Sequence, residues 1–290
     1  MHGKKTLVML AAGVFTASAQ PAAFSGARAL EHTRRAVEFG PRPPGSAALD
    51  ALRAYMLAEL KQRGCEATVD AFTASTPIGP IAMKNVICRF PGASGRAIVI
   101  SGHYDTKLFR DFRFVGADDG GSSTGFLLEM ARALERRRRV DDVYLVWFDG
   151  EEAIGEWSAT DGLHGSRHLA ARWAADGTLK RIKALINVDM IGDRDLGIMR
   201  ELNSAPRLMD LIWETAQGMG YGGHFLRGGG AVEDDHIPFV RRGVEAVDLI
   251  DFDKNYWHTP EDTMDKLSAR SFDVVGAVLL KVLDRLEGQR

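Results

Sequence analysis

Four short apolar runs set the frame of this chain: Ala97 to Ile100, Val143 to Phe148, Ala184 to Val188 and Val244 to Ile250. Helical patterns separate most of them, at Ser123 to Glu135, Ser166 to Ala175 and Pro206 to Met219. A last helical stretch, Ala269 to Leu286, is placed to close one face. Apolar strands alternating with helices predict an α/β domain whose central sheet is mixed but mostly parallel, with helices on both faces. The chain of 290 residues, 45% of them hydrophobic, suits one such domain with a sizeable core.

The stretch before the first run has a different character. Residues 26 to 63 read as helical: Ser46 looks like an N-cap, Leu49, Leu52, Met56 and Leu60 recur at helical spacing, and Gly64 ends the pattern. Two strand-like runs follow, Glu66 to Ala71 and Asn85 to Phe90, joined by a turn-rich segment with Pro77, Gly79 and Pro80. Cys65 and Cys88 lie on these runs. Two cysteines make no disulfide framework, and one bridge or two buried thiols both fit.

The first residues read as a leader. Lys4 and Lys5 precede an apolar stretch, Thr6 to Phe15, followed by Ala17-Ser18-Ala19. That order matches a secretory signal peptide over residues 1–19, leaving a single catalytic domain over 20–290. A buried helix fits less well, because no polar face recurs. The expected protein is exported, periplasmic or secreted, with no membrane span. A formal net charge of -2 argues against a nucleic-acid partner. The basic run Arg136 to Arg139 reads as a solvated helix end.

Ligand sites in such folds lie beyond the carboxyl ends of the strands, and polar residues gather there in this sequence. His103-Tyr104-Asp105 follows the first run, and a loop then reaches Asp118-Asp119. Asp149-Gly150-Glu151-Glu152 follows the second run, Asp189 ends the third, and the fourth leads to Trp257-His258. Each piece alone has a plain structural explanation, such as a helix-start carboxylate or an acidic loop. Together they supply zinc-type ligands at five strand-end positions. Adjacent glutamates in an extended loop point apart, so one can bind metal while its neighbour reaches substrate. Gly121-Ser122-Ser123-Thr124-Gly125 formally matches a serine-hydrolase elbow, yet the residues before it are loop-like, so Ser122 or Ser123 reads better as a helix cap. The Gly-rich stretch from Gly222 to Gly230 reads as a connector, or a mobile loop at a pocket mouth.

The order His-x-Asp, Gly-Ala-x-Asp, Asp-Gly-Glu-Glu, strand-end Asp and late His resembles the zinc-dependent exopeptidases, which include co-catalytic aminopeptidases. Four stretches resemble the animal-type glutaminyl cyclases within that group: Val115 to Asp119; Phe148 to Trp157 with Gly165 to Ala170; Glu233 to Phe239 with Arg241 to Val244; and Trp257-His258-Thr259. The resemblance implies one zinc held by Asp119, Glu152 and His258, with Glu151 as proton carrier. It implies that Asp189 and Asp234 join an acidic network and that Trp157 and Trp257 wall the substrate pocket. Asp248 stands where animal members have a histidine, and Gly102 and Thr124 replace their disulfide.

On this reading the partners are peptides or proteins with N-terminal glutamine, and the enzyme is a monomer. The substrate's own α-amine attacks its γ-carbonyl, releasing ammonia. Two alternatives use nearly the same residues. A di-zinc aminopeptidase would hold a second zinc on His103 and Asp189 with Asp119 bridging. An inactive zinc-binding module for peptide recognition would keep the ligands alone. The Asp234 stretch and the two tryptophans favour the cyclase.

Overall fold

The structure is a computed structural model that describes residues 23–288. The leader expected over residues 1–19 lies outside the described residues. Eight strands are present among them: β1 (Glu66–Thr76), β2 (Gly79–Phe90), β3 (Ala97–His103), β4 (Asp142–Phe148), β5 (Ile182–Asp189), β6 (Ile198–Glu201), β7 (Phe225–Gly230) and β8 (Ala246–Ile250). Six form one sheet in the order β1-β2-β4-β3-β5-β8. The four apolar runs are its parallel part, and β1 and β2 extend it antiparallel. This is the mixed, mostly parallel sheet that the sequence predicts.

Alternating side chains divide the sheet between two cores. Ile98, Ile100, Leu145, Trp147 and Ile186 face helices α1 (Gly26–Glu38), α2 (Ala47–Leu60), α3 (Gly121–Leu134), α5 (Pro206–Gly218) and α7 (Ala269–Gly288). Val99, Val146, Phe148 and Leu185 face α4 (His164–Ala175) and the short α6 (Ile237–Val240), chiefly through Trp173 and Phe239. Ser46 caps α2 by accepting the Leu49 amide at 3.1 Å. Among the described residues no helix is long and apolar enough to cross a membrane.

Four local expectations are corrected. Residues 26–63 form two helices, because Gly40-Pro41-Arg42-Pro43-Pro44-Gly45 between them cannot continue one. The β1–β2 ladder runs unbroken to the pairing of Thr76 with Gly79, so Pro80 falls inside β2 rather than in a long turn. Gly222 to Gly230 is a 3-10 turn followed by β7, which pairs in parallel with β6. Neither serine caps α3: the Ser122 hydroxyl donates to Asp118 O and that of Ser123 to His103 O, each at 2.6 Å. Cys65 and Cys88 are joined by a disulfide that ties the start of β1 to β2.

Candidate active site

The carboxyl ends of β3, β4, β5 and β8 deliver the acidic and imidazole side chains to one place. Gly150, at φ +69°, turns the chain sharply between β4 and the adjacent glutamates. A Cβ there would meet Met83 Sδ at 2.5 Å, so both conformation and space call for glycine. Past the turn, the Asp105 carboxylate accepts the amides of Glu151 and Glu152 at 3.2 and 3.3 Å. With both amides held by one group, the two side chains diverge.

Glu152 turns to His258 and Asp119. His258 Nε2 lies 3.0 Å from Glu152 Oε1 and 3.3 Å from Asp119 Oδ2. Glu151 turns to the other side, 3.9 Å from His103 Nδ1. His103 Nε2 sits 3.2 Å from both Asp119 Oδ1 and Asp189 Oδ1. Asp119 thus stands between two imidazoles. His258 adopts φ +54°, costly for a non-glycine residue. Stacking on Trp257 at 4.0 Å and edge contacts with Phe109 and Phe114 enclose its ring.

The remaining acids form a second layer. Ser101, Asn187 and Asp248 lie side by side on β3, β5 and β8. The Ser101 hydroxyl bonds Asn187 Oδ1 at 2.9 Å, and the Asn187 amide donates to Asp248 Oδ1 at 3.2 Å. Asp248 Oδ2 and Asp234 Oδ2 are both buried without a hydrogen-bond partner. Asp235, next to Asp234, is fully buried with both oxygens unpartnered.

Charge in this cluster is out of balance. Burial, then the neighbouring carboxylates, raises Glu151 well above the usual carboxylate range, although His103 opposes the shift. Burial and Asp119 raise Glu152. Asp189 is pushed up to about 7, mainly by burial and against the pull of His103. Burial, Asp234 and Asp189 together hold Asp248 well above its ordinary value. The imidazoles respond in the opposite sense. Burial alone would lower His258, but Asp119 and Glu152 raise it to about 10. Burial would likewise lower His103, yet Asp189, Asp105 and Asp119 hold it well above its usual value. Asp119 is held low against its burial by those two imidazoles. Protons on histidine stand here where a cation would serve as well.

The donor set fits such a cation. One ligand atom each from Asp119, Glu152 and His258 lies within 4.8 Å of the others, and so does one each from His103, Asp119 and Asp189. Ligands at 2.0–2.2 Å around a tetrahedral zinc are about 3.4 Å apart, close to the 3.0 and 3.3 Å measured at His258. Asp119 Oδ2 is buried with no sound hydrogen bond, an orphan that a metal would satisfy. A cavity of about 600 Å³ opens beside this group, with Glu151, Asp189 and Asp234 in its wall. Trp157 and Trp257 line it and remain 39% and 38% exposed, so they form its rim rather than core.

The structure therefore gathers Asp119, Glu151, Glu152, Asp189, Asp234, His258 and both tryptophans around one cavity, with His103 and Asp248 directly behind. Sequence reading assigned no role to Phe109, which lines the cavity, or to the buried Asp235. The Phe109-Arg110-Asp111-Phe112-Arg113-Phe114 alternation in a loop was the available signal for the first. The second was masked by its acidic neighbour.

Known proteins resemble this chain in sequence and fold. Residues 85–283 match the model of peptidase family M28. The chain is 32% identical to a glutaminyl-peptide cyclotransferase-like protein of Bos taurus over 259 residues, covering 77% of this chain and 66% of that one. Measured against that bovine relative, it spans just under two thirds of the length. It is 30% identical to a glutaminyl-peptide cyclotransferase of Bos taurus, covering 82% of this chain and 76% of the relative. The crystal structure of an Acidobacteriales bacterium glutaminyl cyclase superposes with a TM-score of 0.90 at 41% identity, covering 96% of this chain and all of that one.

Proposed function

This chain belongs to the peptidase M28 family and to the glutaminyl-peptide cyclotransferases within it, and on that premise we propose that it converts N-terminal glutamine of peptides to pyroglutamate with release of ammonia. The observation that carries the reading is the divergence of Glu151 and Glu152. One faces Asp119 and His258, and the other faces an aromatic-rimmed cavity.

Asp119, Glu152 and His258 would hold one zinc, which when bound acts as a Lewis acid on the γ-carbonyl of the substrate. The substrate's α-amine forms the new C–N bond to the γ-carbon, and the bond to the side-chain nitrogen breaks. Glu151 accepts the proton that the amine loses and returns it to the departing ammonia. No water is consumed. Asp234, with Asp248 behind it, holds the leaving nitrogen, and Asp189 completes the acidic wall beside His103. Trp157 and Trp257 flank the first residue and keep out competing water.

The Cys65–Cys88 disulfide supports an oxidising compartment and hence export, either periplasmic or secreted. The trio His103, Asp119 and Asp189 favours a second reading, a di-zinc aminopeptidase. A paired assay separates the two, following ammonia from a glutaminyl peptide and hydrolysis of a leucyl anilide, each with and without chelator. Chelator-sensitive ammonia release without anilide cleavage is expected. Anilide cleavage alone would replace the cyclase by the aminopeptidase.

A further inference from the structure

Asp119 sits in a loop that belongs to no strand or helix, and buried backbone groups in such a loop must find partners outside it. Residues 115–119 find theirs in two side chains from distant parts of the chain. On one side is Arg42, fully buried in the Pro- and Gly-rich connector between α1 and α2. Its guanidinium donates to Val115 O at 2.5 Å, Gly116 O at 2.8 Å and Tyr104 O at 3.0 Å. On the other side is Asp262, also fully buried. Its carboxylate accepts the Asp118 amide at 2.8 Å and the Asp119 amide at 3.2 Å, and its main-chain carbonyl accepts Ala117 N at 3.3 Å. Arg42 takes the carbonyls and Asp262 takes the amides.

The geometry points to Arg42 and Asp262 as a pair of positioning residues that fix Asp119, and with it the spacing of the metal ligands, through the backbone alone. The inference rests on the reading of Asp119 as a ligand. Three features support it. Neither residue spends its charge in an ordinary ion pair: the carboxylates that offset Arg42 are Asp119, Asp262 and Asp105, acting at longer range than a hydrogen bond. Burying a guanidinium in that way costs free energy that packing alone would not require. Asp262 also lies four residues beyond His258 in the same loop, so its grip on 117–119 ties one ligand-bearing loop to another. Arg42 extends the tie to Tyr104 and hence to the end of β3, where His103 sits. The loop has no slack, since a Cβ on Gly116 would meet Asp119 O at 2.4 Å.

The test measures zinc affinity by competition with a chromogenic chelator, and the visible spectrum of the cobalt-substituted protein, in five forms of the full chain. These are wild type, Asp119→Ala, Arg42→Lys, Asp262→Asn and Asp142→Asn. Lysine keeps the charge of Arg42 but carries its donors on one atom instead of the spread fork that reaches three carbonyls, and asparagine turns an NH2 donor towards one of the two amides that separate Asp262 oxygens now accept. Arg42→Lys and Asp262→Asn are expected to weaken zinc binding roughly 10–100-fold, the range typical of groups that orient ligands, and to shift the cobalt bands. Asp142→Asn removes a buried carboxylate at the far end of the sheet and should leave both readouts unchanged. Wild-type affinity in the two variants, an equal loss in Asp142→Asn, or failure of both variants to fold would overturn the positioning role. Undiminished zinc binding by Asp119→Ala would instead overturn the ligand reading itself.

Discussion

Buried carboxylates stand at both ends of the parallel sheet, in opposite company. At the amino end, Asp142 is almost fully buried and meets Arg89 at 3.0 Å, Arg181 at 2.5 Å and the Gly92 amide at 2.7 Å. Its neighbour Asp141 pairs with Lys183 and accepts the Ser94 hydroxyl. Burial alone would raise Asp142, yet the Gly92 amide and the two guanidinium groups hold it below the usual carboxylate range. At the carboxyl end, Glu151, Glu152, Asp189, Asp234 and Asp248 face one another and two imidazoles, and most are pushed upward. Both sets are shielded from solvent, but Asp142 lies close to the surface and the acids of the carboxyl end lie deep, so depth and partners together set the two ends apart. The protein neutralises its own charge at one end and leaves a deficit of positive charge at the other, where a metal ion would fit.

The largest effect that would sharpen this contrast is at Glu151. Glu151→Gln keeps the shape but cannot carry the proton, so kcat for ammonia release should fall by roughly 10³-fold while zinc content stays at the wild-type level. Zinc loss in that variant would move Glu151 from proton carrier to ligand. At the balanced end the prediction reverses. Asp142→Asn removes the carboxylate shared by two part-exposed guanidinium groups and should cost about 1–2 kcal/mol of unfolding free energy, with kcat/KM unchanged. The pH sense follows from the lowered value. The stability that Asp142 contributes is present above its ordinary pKa of 3.8 and is lost as pH falls through the lower folded value. The variant should therefore show a flatter acid limb below about pH 4. A drop in activity without a drop in stability would erase the distinction between the two ends.

The smallest effect lies behind the site. Asp248 is held above its ordinary value, so the stability it contributes is present below pH 3.8 and lost as pH rises through the folded value. Asp248→Asn mimics the protonated form and can still accept the Asn187 amide. Metal-free protein carrying it should gain about 1 kcal/mol at neutral pH, a gain that vanishes in acid, while ammonia release slows. Urea titrations at two pH values would measure this. Destabilisation at neutral pH would mean that Asp248 is an ordinary structural carboxylate.

Much of this contrast could be read from the sequence, and the reason is local. A strand buried on both faces must be an apolar run, and the residue that ends it is free to be polar, so His103, Glu151 and Asp189 stand out where each run stops. The alternation of those runs with helical patterns was enough for the sheet. What escaped depends on distance. Pro77, Gly79 and Pro80 look like a long turn, but the antiparallel ladder of β1 and β2 overrides that local preference up to Thr76 and Gly79. The glycines of β7 have no strand propensity and are a strand only because β6 lies beside them. Arg42 hides in a connector, and its partners Val115 and Gly116 are more than seventy residues away. Asp262 looks like any acid in the Thr-Pro-Glu-Asp loop after His258. Backbone contacts of that span leave no periodicity to read.

A single titration tests whether one metal ion fills the charge deficit of the site. Zinc is returned stepwise to chelator-treated protein while ammonia release from a glutaminyl peptide is followed. Activity that is absent at the start, rises in proportion and saturates at one zinc per chain is the predicted result. Activity that needs no zinc, or that rises only with a second equivalent, would contradict it.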